Sequence, residues 1–295
     1  QYCGNESHLD ETGIYPGGTC EKYARNALIR FYFKSKEYLK KMNGGDIMSY
    51  EKLPELFPEE KQMPLAKYYY NYPMRDLPEN LKKQIFGPPM NVEDAVKPED
   101  FINWLKPYGK YEKVEQGYCM FPDGSGYICT YLRIPENIDV KKMFWYMNWL
   151  NVHSKSMVLG HGNLRYKIWN PADHWDHYFV NWTDKSDGIH TTESLDLGEG
   201  DRKYDTIRHS FNLREFGLTD EKIKKLTDSG ISVNETSDWE SFDEPGAHLT
   251  LGQIRPCPEG GFERRSVEWI GWRPAKGGKL IREPRTHCDE AYLKK

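Results

Sequence analysis

The sequence predicts an α+β protein in which a small helical N-terminal part precedes a domain built on an antiparallel sheet. Three observations carry this. Beyond Glu112, β-prone runs follow one another with turn residues between them. Only two helical periodicities interrupt those runs. The first two runs, in GYCMFPDGSGYICTYLRIP, flank Pro-Asp-Gly-Ser-Gly and read as a β-hairpin. Sequential strands with a helix or two against one side favour α+β with antiparallel pairing. The boundary is placed accordingly, with residues 1–112 as the mainly helical region and 113–295 as the sheet domain.

Residues 1–19 read as coil. From Cys20 to about Lys41, Tyr23, Ala24, Ala27, Leu28, Phe31 and Tyr32 recur at helical spacing, with Thr19 as N-cap and Gly44-Gly45 past the end. Residues 50–112 carry many prolines and short helical pieces, among them PEDFINWLKPYG, opened by Pro98 and closed by Pro107. VKKMFWYMNWL, residues 140–150, is helical and apolar almost all round, which predicts burial. LRYKIW, HYFVNW, TTESLDL, TIRHSFNL, HLTLGQIRP and SVEWIGW are each strand-like. Between them LTDEKIKKLTDSG predicts a short helix, with Thr219 as N-cap and Gly230 just past its end.

A net charge of −4 gives no basic field for nucleic acid, and no run approaches the ~18 apolar residues of a membrane span. Hydrophobic residues make only 38% of the chain, but 20 Tyr, 12 Phe and 9 Trp compensate. Such rings suit a pocket for an aromatic, polar ligand, and they suit an ordinary aromatic-rich sheet as well. None of the six cysteines forms C-x-x-C, which argues against a zinc knuckle. Cys3 and Cys20 bracket a Gly/Pro/Asn-rich segment and could be stapled. These cysteines, the sequons at Asn5, Asn181 and Asn234, and a start at Gln1 tilt the expectation towards export, with a reduced cytoplasmic setting also compatible.

The candidate chemistry centres on Asp173, His174, Asp176 and His177, a polar knot between two aromatic runs. Pro171 favours a loop there, able to aim both imidazoles into a sheet's concave face. Glu193 lies in a run of Thr, Ser and Leu, where an inward carboxylate needs a partner. A metal ion would be one, since His and Glu are ordinary zinc ligands. Spacing alone fits a satisfied turn and a surface glutamate better, because no H-E-x-x-H is present. His248 opens a strand after a Pro-Gly turn and is a candidate general base. His287 and Glu290 would share a face if helical and could complete a metal site; if frayed, they are an exposed tail. DGSGY misses the nucleophile elbow by a residue, and LGHGNL lacks the third glycine of a dinucleotide fingerprint.

The order GYCMFPDGSGY, MFWYMNWL, LRYKIWNPADH, TTESLDLG and RPCPEGGFERRSVEWIGW resembles the 2,4-diacetylphloroglucinol hydrolase and phloretin hydrolase family over about residues 113–272. The most specific piece is R-Y-K-I-W-x-P-x-x-H. The resemblance implies a Bet v-like helix-grip domain and zinc-dependent hydrolysis of the carbon–carbon bond between an acyl group and a phloroglucinol ring. By position Tyr166 looks like the family's substrate-binding tyrosine, His174 like its first metal ligand and Glu193 like its carboxylate ligand. His248 looks like the histidine to which acid–base work is ascribed. Of the family's closing H-x-x-x-E pair His287 fits, but residue 291 is Ala and Glu290 comes one residue early. His177 stands where the family has Asn. The implied reaction has Zn2+, or another divalent metal, held by His174, Glu193, His287 and Glu290 to activate water. Tyr166 and His177 would bind ring hydroxyls, and His248 would move the proton that the ring carbon receives. The implied partner is a small phenolic substrate, with no nucleic acid or membrane; a homo-oligomer is compatible. The rival reading is a helix-grip protein that binds an aromatic ligand without chemistry.

Overall fold

The computed structural model describes residues 55–70, 87–136, 139–150, 152–153, 163–169, 174–181, 188–193, 204–226, 230–238, 247–286 and 288–293. Among these, nine strands form one sheet. They are β1 (Gly117–Met120), β2 (Gly126–Ile134), β3 (Val152–His153), β4 (His174–Phe179), β5 (Ile189–Glu193), β6 (Tyr204–His209), β7 (Gly230–Asp238), β8 (Ala247–Pro256) and β9 (Phe262–Ile270). Their spatial order is β1-β2-β9-β8-β7-β6-β5-β4-β3, antiparallel throughout except where β3 lies parallel to β4. β10 (Trp272–Ala275) and β11 (Lys279–Arg282) make a separate hairpin. The helices are α1 (Pro58–Lys61), α2 (Lys67–Tyr70), α3 (Val140–Leu150), α4 (Leu164–Trp169), α5 (Asp220–Lys225) and α6 (Glu290–Leu293). The α+β class and the curved antiparallel sheet are as the sequence predicts.

The two faces of the sheet have different tasks. Along β8, buried and half-buried residues alternate over the whole strand, the period-2 signature of two unlike faces. One face carries Leu249 and Leu251 beside Trp269, Val267, Tyr127 and Cys129. It is covered by Phe101 and Trp104 of the 3-10 segment Pro98–Trp104 and by Leu213, Leu218 and Leu226. Further along it the buried residues are charged. Arg255 pairs with Glu263 at 2.6 Å and Arg265 with Glu115 at 2.7 Å. Arg255 also donates to the carbonyls of Pro107 and Lys110, and Arg265 to that of Trp104. These guanidiniums therefore fasten the coil of residues 104–115 to the sheet, and paired, hydrogen-bonded charge is the form in which burial is tolerated.

Among the described residues, the opposite face is covered by α3 and α6 at its ends and by α4 over β4. At one end Met143 of α3 packs on Ile134 and Phe262, with Trp169 and Ile254 beside them. At the other, Leu293 of α6 packs on Ile270 and Tyr118. Thr286 helps hold that end, its hydroxyl accepting from the Ala247 N–H at 3.1 Å. Between the two ends the half-buried or exposed positions include the polar His248, Thr250, Glu268, Ser266, Arg264 and Thr130, beside the apolar Ile128 and Leu132.

Several local expectations are corrected. LRYKIW is the helix α4 and not a strand. Asn163 caps it, the Oδ1 accepting from Arg165 N at 3.0 Å, and Leu164, Tyr166, Lys167 and Ile168 are all buried. Tertiary packing against Leu56, Ala66 and Tyr69 on one side and Tyr146 and Leu150 on another overrides β propensity there. His174 and His177 lie on a strand rather than in a loop. α3 is not buried all round: Met143, Tyr146 and Leu150 are, while Phe144 and Met147 are 42% and 38% exposed. PEDFINW winds as a 3-10 helix. Thr219 caps α5 as expected, accepting from Lys222 N, but Gly230 begins β7. The SVEWIGW run breaks at Gly271, whose φ of +89° turns the chain out of β9 into β10. The predicted helix from Cys20, the Cys3–Cys20 staple and Asn5 lie outside the described residues. Cys119, Cys129, Cys257 and Cys288 are free thiols, and burial pushes Cys119 up to about 11.

α4 is tied to the segment before it by one fully buried ion pair. Lys167 Nζ lies 2.8 Å from Glu60 Oε1, with side-chain exposures of 3% and 2%, and 3.9 Å from the Trp175 ring centroid. Glu60→Ala removes the counter-charge and should cost about 3–5 kcal/mol. Replacing Glu60 and Lys167 together by methionine should cost much less. Denaturant unfolding of both variants checks this.

Candidate active site

β4 and β5 set the site. Their register pairs His174 with Glu193, Asp176 with Thr192 and His177 with Thr191. Trp175 is therefore an extra residue, a β-bulge between His174 and Asp176. On a regular strand, residues three apart point to opposite faces. The bulge puts His174 and His177 on the same one. Both rings meet Tyr166 of α4: His174 stacks on it at 4.1 Å between centroids, and His177 lies at 4.9 Å, tilted by 43°. Tyr166 and His177 are buried, and His174 is half-buried.

Register carries this face across the sheet. Thr191 pairs with Thr206, their hydroxyls 2.7 Å apart. Arg208 follows two residues on and pairs through Thr236 of β7 with His248 of β8. Directly paired residues share a face. His174, His177, Thr191, Thr206, Arg208 and His248 therefore stand on the half-open face of the sheet.

The sequence reading missed three residues here. The first is Glu268, diagonal to His248 across β8 and β9, whose Oε1 is hydrogen-bonded to His248 Nδ1. A carboxylate on Nδ1 fixes the orientation of an imidazole, the arrangement that serves a general base. The signal was present, since Glu268 interrupts the apolar run Val267-Glu-Trp269. The other two are Arg208 and Arg264. Arg264 pairs with Ile254 and Leu132 and so belongs to this face. Burial, then the neighbouring Arg208, pulls its guanidinium below the usual arginine range, and Tyr166 opposes the shift. Arg208 and Arg264 come from β6 and β9, which lie on either side of β7 and β8 in the sheet.

The donors for a metal are partly in place. His174 and Glu193 are ladder partners, which sets their Cα atoms about 4.5–5.5 Å apart. An imidazole and a carboxylate on adjacent strands fit the donor chemistry of zinc. Glu290 opens α6 and is exposed. His287 and the side chain of Glu193 lie outside the described residues, among which no group of three or more His, Cys, Asp or Glu side chains comes together.

The sequence model of the DAPG hydrolase PhiG domain matches residues 96–291, well over half of the chain. The chain belongs to the DAPG hydrolase family. No curated protein matches it significantly. Membership implies a hydrolase acting on acylphloroglucinol-type substrates. The DAPG hydrolase match takes in every site residue described above, and it includes the segment whose Phe101 and Trp104 pack under the sheet.

Glu268→Gln keeps the shape of the side chain and removes its charge. We expect it to lower kcat about 10-fold or more with little change in KM, and to shift the pH–rate profile. Steady-state kinetics from pH 5 to 9 would show this, and an unchanged profile would separate Glu268 from His248 function.

Proposed function

We propose that this DAPG hydrolase family member cleaves the carbon–carbon bond between an acyl group and a phloroglucinol-type ring, on a Bet v-like helix-grip fold. The observation that supports this most is the bulge in β4, which sets two histidines on one face against Tyr166 with Glu193 across the ladder from His174.

His174 and Glu193, with His287 and Glu290 from the C-terminal segment, would hold Zn2+ or another divalent ion. Such a site supplies Lewis acidity towards a carbonyl oxygen and makes water more acidic. Tyr166 and His177 hold the ring by its hydroxyls and keep the acyl carbon in line. The reaction consumes one water. The acyl carbon gains the oxygen and leaves as a carboxylic acid, and the ring carbon gains a proton. A phloroglucinol ring accepts that proton at carbon because its keto tautomer is within reach. His248, oriented by Glu268, moves this proton. The half-open polar strip between α3 and α6 gives such a ring a place to lie.

Elemental analysis of the wild type and His174→Ala, with phloretin and diacetylphloroglucinol as substrates, tests the reading. We expect about one metal per chain in the wild type, and loss of both metal and cleavage in the variant. No metal in the wild type, with a bound aromatic ligand and no cleavage, would make the chain a carrier. His248→Ala should keep its metal while kcat falls by about 100-fold or more. Near-normal kcat in that variant would remove His248 from proton transfer.

A further inference from the structure

Glu60 and Lys167 join the site to a segment that precedes it. Glu60 lies in α1, upstream of the residues 96–291 that the family model matches. Its carboxylate uses both oxygens: Oε1 pairs with Lys167 Nζ at 2.8 Å, and Oε2 accepts from Phe57 N at 3.1 Å. The ammonium sits 3.9 Å from the Trp175 ring centroid and 5.3 Å from that of Phe57, and these two rings meet edge to face at 5.8 Å. Trp175 is the bulge residue between His174 and Asp176. Lys167 directly follows Tyr166 on α4. Spacings of three and four residues put Leu164, Lys167 and Ile168 on one side of that helix, and Tyr166 with Trp169 on another. Leu164 and Ile168 pack with Leu56, Ala66 and Tyr69, while Tyr166 and Trp169 pack with Tyr146 and Leu150. Glu60 therefore grips both things that set the geometry of the site, the rotation of α4 and the residue inserted in β4. A small rotation of the helix would slide Tyr166 off the two imidazoles that it meets at 4.1 and 4.9 Å.

We propose that Glu60 is a positioning residue of the active site, holding Tyr166 against His174 and His177 through Lys167 and Trp175. Apolar packing tolerates small rotations, whereas a charge-assisted hydrogen bond is short and directional. A buried ion pair also adds little net stability over an apolar pair of similar volume, so what it contributes here is the geometry that it fixes. Glu60 takes no chemical step of its own. For its effect on rate the inference rests on the proposed hydrolase reading; for its effect on the three rings it does not.

The test compares the full wild-type chain with Glu60→Asp and with the double variant Glu60→Met, Lys167→Met. Glu60→Ala would strand a buried ammonium, whereas the double variant leaves no charge of the pair behind. Three quantities are measured: the urea midpoint, kcat on diacetylphloroglucinol, and the NMR signals of histidine imidazoles in selectively labelled protein. The Tyr166 ring stacked on His174 moves the C–H signals of that imidazole upfield, so they read the stacking directly. We expect the double variant to unfold near the wild-type midpoint, to lose most of that upfield shift, and to fall about 10- to 100-fold in kcat. Glu60→Asp keeps the charge on a shorter arm and should lie between the two in both shift and kcat. A merely structural role would leave shift and kcat at their wild-type values once stability is regained. That result overturns the inference and leaves the hydrolase reading intact, and so does an altered shift with unchanged kcat. If the wild type does not cleave the substrate, the hydrolase reading falls, and the imidazole shifts alone decide whether Glu60 positions the site.

Discussion

The side chain of Asn163 makes hydrogen bonds to three different pieces of chain. Its Nδ2 donates to the carbonyls of Leu150, at the end of α3, and His177, on β4, at 3.0 and 2.7 Å. Its Oδ1 accepts from Arg165 N and starts α4. Its own N–H donates to Trp175 O. One buried amide thus fixes the separation of the helix that carries Tyr166 from the strand that carries His174 and His177. Alanine there would strand two buried carbonyls and a helix N–H, each worth about 1–3 kcal/mol when unsatisfied. The spacing of Tyr166 from the two histidines depends on that small group being saturated.

A second constraint is the division of labour between the sheet's faces. The apolar core and the paired arginines lie on one face, bound down by the coil of residues 104–115. Stability is concentrated there. The other face can then carry histidines, threonines, Glu268 and arginines without also having to be the core. Such groups are costly where they must be dry and are inexpensive where a ligand or water can reach them. Closure of that face by α3 at one end and α6 at the other keeps the polar strip from being ordinary surface.

How much of this was legible in the sequence differs from element to element. The β1–β2 hairpin, α3, the Thr219 cap and β8 were, because turn chemistry and periodicity are local signals. So was the interest of Tyr166, His174 and His177, through the motif that contains them. α4 was misread because Tyr, Ile and Trp favour strands locally, and what makes them helical is contact with chain about a hundred residues earlier and some twenty residues away. The half-exposed side of α3 was hidden by an excess of aromatics that does not mark the buried stripe. Glu268 and Arg264 were missed for a different reason. Each looks like an ordinary strand charge until the register shows which face it shares with His248.

The bulge at Trp175 acts as a phase shift in the strand. It means that the H-x-x-H spacing here belongs neither to a helix nor to a regular strand, but to a strand with one inserted count. The inserted residue is not idle, since its ring covers the Lys167 ammonium. Its length is therefore held from two directions, by the phase of the histidines and by the shelter of a buried cation. Point substitutions between the two histidines can be absorbed. A gain or loss of a single residue cannot, because it would exchange inside for outside along the rest of β4.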